Sequence, residues 1–225
     1  MQIAIDGPAS AGKSTVAKIV AKNLNFIYID TGAMYRACTL IAKNGKVDYG
    51  DEAKILDLLE NSKIEFKNGE KEQKVFVNGQ DVSLTIRTPE ITANVSQVSA
   101  LPGIRKKMVE LQREMAGQNN VIMDGRDIGT TVLPHADLKV FLVASVASRA
   151  KRRYLDFEEK GINQDLAEIE RDIEQRDYKD SHRKISPLKK AADAIELDTT
   201  NLTIDEVVKK ITELIEKKQK KETKE

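Results

Sequence analysis

The chain has no tryptophan, one cysteine and two histidines among its 225 residues, and each scarcity removes a class of protein. A single thiol, Cys38, cannot close an intramolecular disulfide and fits a reducing compartment. Cys38, His135 and His182 are too few ligands for a structural zinc site. No apolar run approaches the ~18 residues that a membrane-spanning helix requires. A secretory leader is not expected either, because Asp6 and Lys13 interrupt the N-terminus before an apolar stretch forms. An excess of one charge is also missing, since 37 Lys plus Arg face 36 Asp plus Glu for a net charge of +1. A broad polyanion surface needs such an excess, so a general nucleic-acid binder is not expected. What the chain does have is 40% hydrophobic residues, enough to bury a core in one domain with a small accessory lobe. These features predict a soluble, cytoplasmic α/β protein.

Gln2-Ile3-Ala4-Ile5-Asp6 reads as a buried strand, and after a Gly-rich turn Val16, Ala17, Ile19, Val20 and Leu24 repeat at helical spacing. Phe26–Ile29 is a second apolar burst, stopped by Asp30-Thr31-Gly32 and followed by a helical pattern from about Ala33 to Lys43. Val121–Met123 and Lys139–Val143 are further strands with helical sequence behind them, and Ala194–Leu197 is the last strand. Strands alternating with helices predict a mostly parallel sheet with helices on both faces. Two segments break the alternation. Residues 63–67, 74–77 and 80–84 read as an antiparallel meander with hairpin turns at Asn68-Gly69 and Asn78-Gly79, because Asn-Gly tolerates positive φ. Residues 149–190 carry 12 basic and 10 acidic side chains on a helical pattern, which suits either a solvated helical pair or an arginine-bearing functional element. Thr203-Ile204-Asp205-Glu206 is a capping box whose helix is expected to reach about Glu216. Beyond it the Lys-rich residues 217–225 hold nothing apolar and are expected to form a disordered, solubilising tail.

Gly7-Pro8-Ala9-Ser10-Ala11-Gly12-Lys13-Ser14 matches G-x-x-x-x-G-K-[ST] between a strand and a helix. The glycines let backbone N–H groups turn inward toward phosphate oxygens, and the helix behind them offers the positive end of its dipole. Lys13 is placed to reach the β- and γ-phosphates, and the Ser14 hydroxyl to ligate Mg²⁺. A nucleoside triphosphate is therefore expected here.

Several classes share this loop. The Asn/Thr-Lys-x-Asp segment with which a GTPase switch reads guanine is absent. A small kinase remains, which needs cations to gather two anionic substrates and a lid to exclude water. The arginines then become informative. Arg36 lies one turn past Asp30-Thr31-Gly32, and Arg126 follows a strand in Asp124-Gly125-Arg126-Asp127. Both stand near the carboxyl ends of strands, where open α/β sheets bind ligands. Arg149, Arg152 and Arg153 share one helix face. Asp124 ends a strand in the position of the acid that holds the Mg²⁺ hydration shell. Asp6 and Asp30 are further strand-end carboxylates, and Asp6 is expected to be a plain turn former. On these residues alone the acceptor stays open between CMP, UMP, AMP and a hydroxylated metabolite, and a non-transferase ATP-binding switch stays open beside it.

Gly7 through Thr15, Asp30-Thr31-Gly32-Ala33-Met34-Tyr35-Arg36, Asp124-Gly125-Arg126-Asp127-Ile128-Gly129-Thr130 and Arg176-Asp177 through Arg183, ending Ser186-Pro187-Leu188, together resemble bacterial cytidylate kinases over roughly residues 1–215. The resemblance implies a P-loop NTPase-type parallel sheet with helices on both faces, a small antiparallel β insert and a helical lid. It implies one domain over 1–216, with core segments near 1–60, 100–148 and 190–216, an NMP-binding insert near 61–99 and a lid near 149–180. It further implies transfer of the γ-phosphoryl of ATP to CMP or dCMP with Mg²⁺, in a chain expected to be a monomer without nucleic-acid or membrane partners. By similarity Arg36, Arg126 and Arg183 clamp the acceptor phosphate. Ser96, Arg105 and Asp127 read cytosine, Arg176 and Asp180 contact the ribose, and Thr31 lies near the acceptor. Arg149 and Arg153 face the ATP phosphates from the lid. Thr31 stands where the family often has Ser and retains the hydroxyl. Without the resemblance, Ser96 and Arg105 would read as helix-surface residues.

The base assignment has its own chemical sense. Cytosine offers an amino donor at N4 to a carboxylate such as Asp127, and acceptors at N3 and O2 to Arg105. Uracil would place an acceptor against Asp127 and its N3–H against Arg105, and a site built for hydrogen bonds rejects the wrong pattern strongly.

Overall fold

The computed structural model describes residues 1–68, 73–159 and 161–222. In chain order the first half contains β1 (Gln2–Asp6), α1 (Lys13–Leu24), β2 (Ile27–Asp30), α2 (Thr31–Asn44), α3 (Glu52–Glu60), β3 (Ile64–Asn68), β4 (Gln73–Val77), β5 (Gln80–Asp81), α4 (Pro89–Ala100) and α5 (Pro102–Ala116). The second half contains β6 (Val121–Gly125), β7 (Leu138–Val143), α6 (Val146–Glu159), α7 (Leu166–His182), β8 (Ile195–Asp198) and α8 (Ile204–Glu222). These elements form two compact units, Met1–Tyr28 with Ala116–Glu225, and Ile29–Met115.

The first unit is built on a five-stranded sheet of order β2-β6-β1-β7-β8. Its central strand β1 runs parallel to both neighbours, with Ile3 opposite Ile122 on one side and Leu138 on the other. A parallel strand covered on both faces must be apolar throughout, which is why Ile3, Ala4 and Ile5 stand in succession. Val16 and Val20 of α1 and Val207, Ile211 and Ile215 of α8 pack into one core with Ile3, Ile5, Ile122 and Val140. Spacings of four residues put each set on a single helix face. Every strand expected of the parallel sheet is present.

Helix α8 begins at the expected capping box, where the Thr203 amide donates to Glu206 Oε2 at 2.8 Å and the Glu206 amide to Thr203 Oγ1 at 3.3 Å. It then continues to Glu222 rather than stopping near Glu216. Glu, Lys and Gln are good helix formers, and Glu213–Lys217 and Glu216–Lys220 have the four-residue spacing of favourable pairs, so the polar extension needs no buried face. Residues 223–225 of the expected tail lie outside the described residues. Helices α6 and α7 pack together through Ala150, Ile169 and Ile173, with Val146, Tyr154 and Phe157 against them. The charged segment thus has a small apolar core of its own. Among the described residues no helix is long and apolar enough to cross a membrane.

The second unit holds the three-stranded antiparallel sheet β3-β4-β5. Asn78 and Gly79 turn between β4 and β5 with φ of 50° and 81°, as a type I′ hairpin requires. Gly69 of the other expected turn lies outside the described residues. The third strand ends at Asp81 instead of Leu84. Asp81 Oδ1 accepts from the Ser83 amide at 3.0 Å and hydroxyl at 2.6 Å, a side-chain turn that competes with the ladder and leads into a 3₁₀ turn over Thr85–Arg87. Helices α2, α3, α4 and α5 complete this unit.

Candidate active site

The loop after β1 takes its shape from glycine. At Gly7, φ is +148° and a Cβ would collide with the Leu142 carbonyl oxygen, so only glycine lets β1 leave the sheet this close to β7. Gly12 is left-handed at φ 84° and precedes α1 without a side-chain cap, so no side-chain cap competes with an anion for the first-turn amides. Ala9 and Ala11 are buried and Thr15 is exposed. Lys13 is 5% exposed and its Nζ donates to the Pro8 carbonyl at 2.6 Å. Burial first, then Arg126 and Arg176, hold its ammonium well below the usual lysine range, with Asp124 and Asp6 pulling the other way.

The Ser14 hydroxyl donates to Asp124 Oδ2 at 2.7 Å, and Tyr28 donates to Asp124 Oδ1 at 2.7 Å. Ser14 and Asp124 therefore meet as a pair of hard oxygen donors, the chemistry that Mg²⁺ selects. Sequence reasoning missed Tyr28, whose aromatic ring sits in a strand like any core residue. Asp6 corrects an expectation. It is not a turn former; its carboxylate accepts the amides of Ile128 and Gly129 at 2.8 and 2.7 Å across the sheet.

On α6, Arg149 is 4% exposed. Its Nε donates to the Ala144 carbonyl at 3.0 Å, and its Nη1 to the Ala9 carbonyl at 2.9 Å and to Asp177 Oδ2. Asp177 Oδ1 in turn accepts the Ala9 amide at 2.9 Å, so α6 and α7 both hold the phosphate loop at Ala9. No local pattern in the sequence shows that Asp177 reaches Ala9, 168 residues away. Arg152 donates to the Thr199 carbonyl and hydroxyl, and Arg153 lies over the Phe157 ring at 4.7 Å. The three arginines share a helix but have three different partners.

The same unit gathers the remaining acceptor-side candidates from β6 and α7. Arg126 Nε donates to Asp180 Oδ2 at 2.9 Å, and Arg183 Nη2 to Asp127 Oδ1 at 3.2 Å. Burial would raise the Asp180 carboxyl, but Arg126, Arg176 and Arg183 outweigh it and hold the group below the usual range.

In the second unit Asp30 caps α2 by accepting the Ala33 amide at 2.8 Å. Thr31 is the first residue of that helix and is buried. Arg36 curls back along it, since a Cβ on Gly32 would lie 3.2 Å from Arg36 Nη1. Ser96 is half-buried on α4. Arg105 is only 2% exposed, with its guanidinium 5.3 Å from the Tyr35 ring centroid and Nη1 donating to the Ser99 carbonyl at 3.0 Å. The helix-surface reading of Arg105 is thereby corrected, because a buried guanidinium held by an aromatic face and a carbonyl is a placed group.

A family model described as Cytidylate kinase matches residues 3–217. The cytidylate kinase of Lactobacillus gasseri is 79% identical over 220 residues, covering 98% of this chain and 96% of its own. The cytidylate kinase of Bacillus cereus is 55% identical over 215 residues, covering 96% of each chain. An uncharacterized protein from Eubacterium ventriosum, known as a crystal structure, has a TM-score of 0.52 at 14% identity over 96% of this chain and 98% of its own, a likeness of fold alone. With the family model spanning nearly its whole length and relatives this similar, the chain belongs to the cytidylate kinase family.

Proposed function

We propose that the chain transfers the γ-phosphoryl group of ATP to CMP or dCMP, giving ADP with CDP or dCDP, and that the residues described above divide this work as follows. The loop from Gly7 to Thr15 wraps the ATP phosphates, with the uncapped amides of α1 and the Lys13 ammonium facing them. Ser14, and Asp124 through water, would hold Mg²⁺, which supplies neutralisation of the charge on the transferring phosphoryl group. Arg149, bonded to Ala9 of the loop, and Arg153 add positive charge from the lid side. Arg36, Arg126 and Arg183 hold the acceptor phosphate in line, and Ser96, Arg105 and Asp127 read the base. Arg176 and Asp180 contact the ribose, with Thr31 at the acceptor. Chemistry of this kind is mostly positioning and charge stabilisation, and a nucleotide phosphate is already ionised near neutral pH, so no strong base is required.

One observation carries this reading beyond family membership. Lys13, 5% exposed behind a glycine loop whose helix α1 has no side-chain cap, follows in sequence directly into Ser14, which is bonded to Asp124, an arrangement suited to a triphosphate with Mg²⁺. The family name points to the cytidine acceptor. Working in the cytoplasm as a monomer, without nucleic acid, completes the proposal.

ADP release from ATP, followed across CMP, dCMP, UMP, AMP and hydroxylated metabolites, tests it. Turnover should be fastest with CMP and dCMP and negligible without an acceptor. Turnover with a hydroxylated metabolite but not with CMP would reject the assignment.

A further inference from the structure

Asp6 ends β1, immediately before the first glycine of the phosphate loop, and is 5% exposed. Its two carboxylate oxygens each accept one backbone amide, Ile128 to Oδ1 at 2.8 Å and Gly129 to Oδ2 at 2.7 Å. Those amides open the single π-helical turn Ile128–Val132, whose N-cap is Asp127. An aspartate at an N-cap ordinarily takes the first amides of its own helix. Asp127 makes no such cap bond, and its carboxylate instead takes Arg183. Asp6, more than a hundred residues away in the chain, does the capping in its place.

The turn is also packed against Lys139. A Cβ on Gly129 would lie 3.0 Å from Lys139 Cδ. Lys139 cannot easily give way, because its Nζ is held by the Pro134 carbonyl at 2.6 Å and by Asp193. Asp6 sits electrostatically between Lys13, which favours its charge, and Asp127, which opposes it. A carboxylate buried under those conditions is expensive to keep, and the two amides it holds are what it does in return.

We infer that Asp6 is a positioning residue for acceptor recognition: it holds the Ile128–Gly129 backbone so that Arg126 and Asp127 are fixed in place and the Asp127 carboxylate is released from capping. The inference rests on the reading of Asp127 as the group that recognises the cytosine base. It makes Asp6 a link between the first residue of the phosphate loop and the segment that chooses the acceptor.

Asp6→Asn keeps the side-chain volume and one acceptor oxygen, but sets an NH₂ against one of the two amides. In steady-state assays it should raise KM for CMP about 10-fold and narrow the CMP-over-UMP preference about 5-fold, with affinity for a fluorescent ATP analogue unchanged within about 3-fold. A merely structural role would move the ATP affinity as well. Gly129→Ala, whose Cβ presses the same turn against Lys139 and beside Asp6 Oδ2, should give the same pattern. In the wild-type chain at constant pH, the Ile128 and Gly129 amides should be protected from hydrogen exchange without CMP; exchange at free-peptide rates would overturn the inference without any variant. Asp127→Ala separates the two claims. If it loses the base preference while Asp6→Asn keeps it, only the role of Asp6 is overturned. If Asp127→Ala leaves the preference intact, the base reading itself fails and the inference falls with it.

Discussion

Arg183 donates from Nη2 to Asp127 Oδ1 at 3.2 Å, and both side chains are more than nine-tenths buried. Arg126 and Asp180 repeat the arrangement at 2.9 Å. A buried guanidinium is costly without a carboxylate beside it, so each acid offsets the burial of an arginine assigned to the acceptor phosphate. This is how arginines can be buried side by side in a chain whose net charge is +1.

Lys13 is expected to dominate turnover. Its ammonium sits under the loop, bonded to Pro8, with no second lysine in the G-x-x-x-x-G-K-S segment to replace it. Lys13→Met should lower kcat about 10³-fold or more in an ADP-release assay while the far-ultraviolet circular dichroism stays that of the wild type. A loss below about 10-fold would remove Lys13 from the proposed phosphoryl-transfer machinery.

Arg149 is expected to matter for stability as much as for turnover. Its fork reaches Ala144, Ala9 and Asp177 at once, a geometry that a lysine ammonium cannot reproduce. Arg149→Lys should destabilise the chain by about 2–4 kcal/mol, read from the urea midpoint. An unchanged midpoint would mean that these bonds do not hold the phosphate loop to α6 and α7.

Gly7 leaves no room for a side chain. Gly7→Ala drives a Cβ onto the backbone oxygen of Leu142, which belongs to an interior strand and cannot step aside. The loss should exceed about 3 kcal/mol and show as a lowered thermal midpoint or an insoluble product. A variant as stable as the wild type would mean that β1 and β7 do not approach this closely.

The pH dependence of stability isolates Asp6. Burial pushes its carboxyl up from 3.8 to about 6, against the downward pull of the Gly129 and Ile128 amides. Between those values the folded chain holds a proton that the unfolded chain has released. The stabilising contribution is therefore complete below about pH 4 and is lost as pH rises through about 6, a change of about 3 kcal/mol. Other carboxylates contribute their own slopes, so the informative quantity is wild type minus Asp6→Asn. That difference in unfolding free energy should move against the wild type by about 3 kcal/mol between pH 4 and 7. A flat difference would contradict the picture of a strongly buried carboxyl.

How much of this was legible in the sequence follows from the range of each interaction. The run Ile3-Ala4-Ile5, the loop from Gly7 and the periodic α1 are local signals, and all appear where they were read. The end of β5 was misplaced because one short side-chain turn, Asp81 to Ser83, overrides an otherwise strand-like stretch. The extent of α8 was underestimated because apolar periodicity stops near Ile215, although charged residues carry the helix on. At the site, residue types and order pointed to Lys13, Asp124 and Arg126, and the family resemblance added Arg183. Partners were another matter. Asp6 with Ile128 and Arg149 with Ala9 join positions 122 and 140 residues apart, and no local pattern encodes them. Arg105 shows the same limit, since a charged residue on a helix reads as surface until its tertiary neighbours bury it.

The central claim is that the chain phosphorylates a cytidine nucleotide chosen through Asp127. The ratio of kcat/KM for CMP to that for UMP, measured side by side in the wild type and in Asp127→Ala, tests it most directly. The wild type should prefer CMP strongly, and Asp127→Ala should lose roughly 10²-fold of that preference while still turning over both nucleotides. An equal preference in the two proteins would contradict the account.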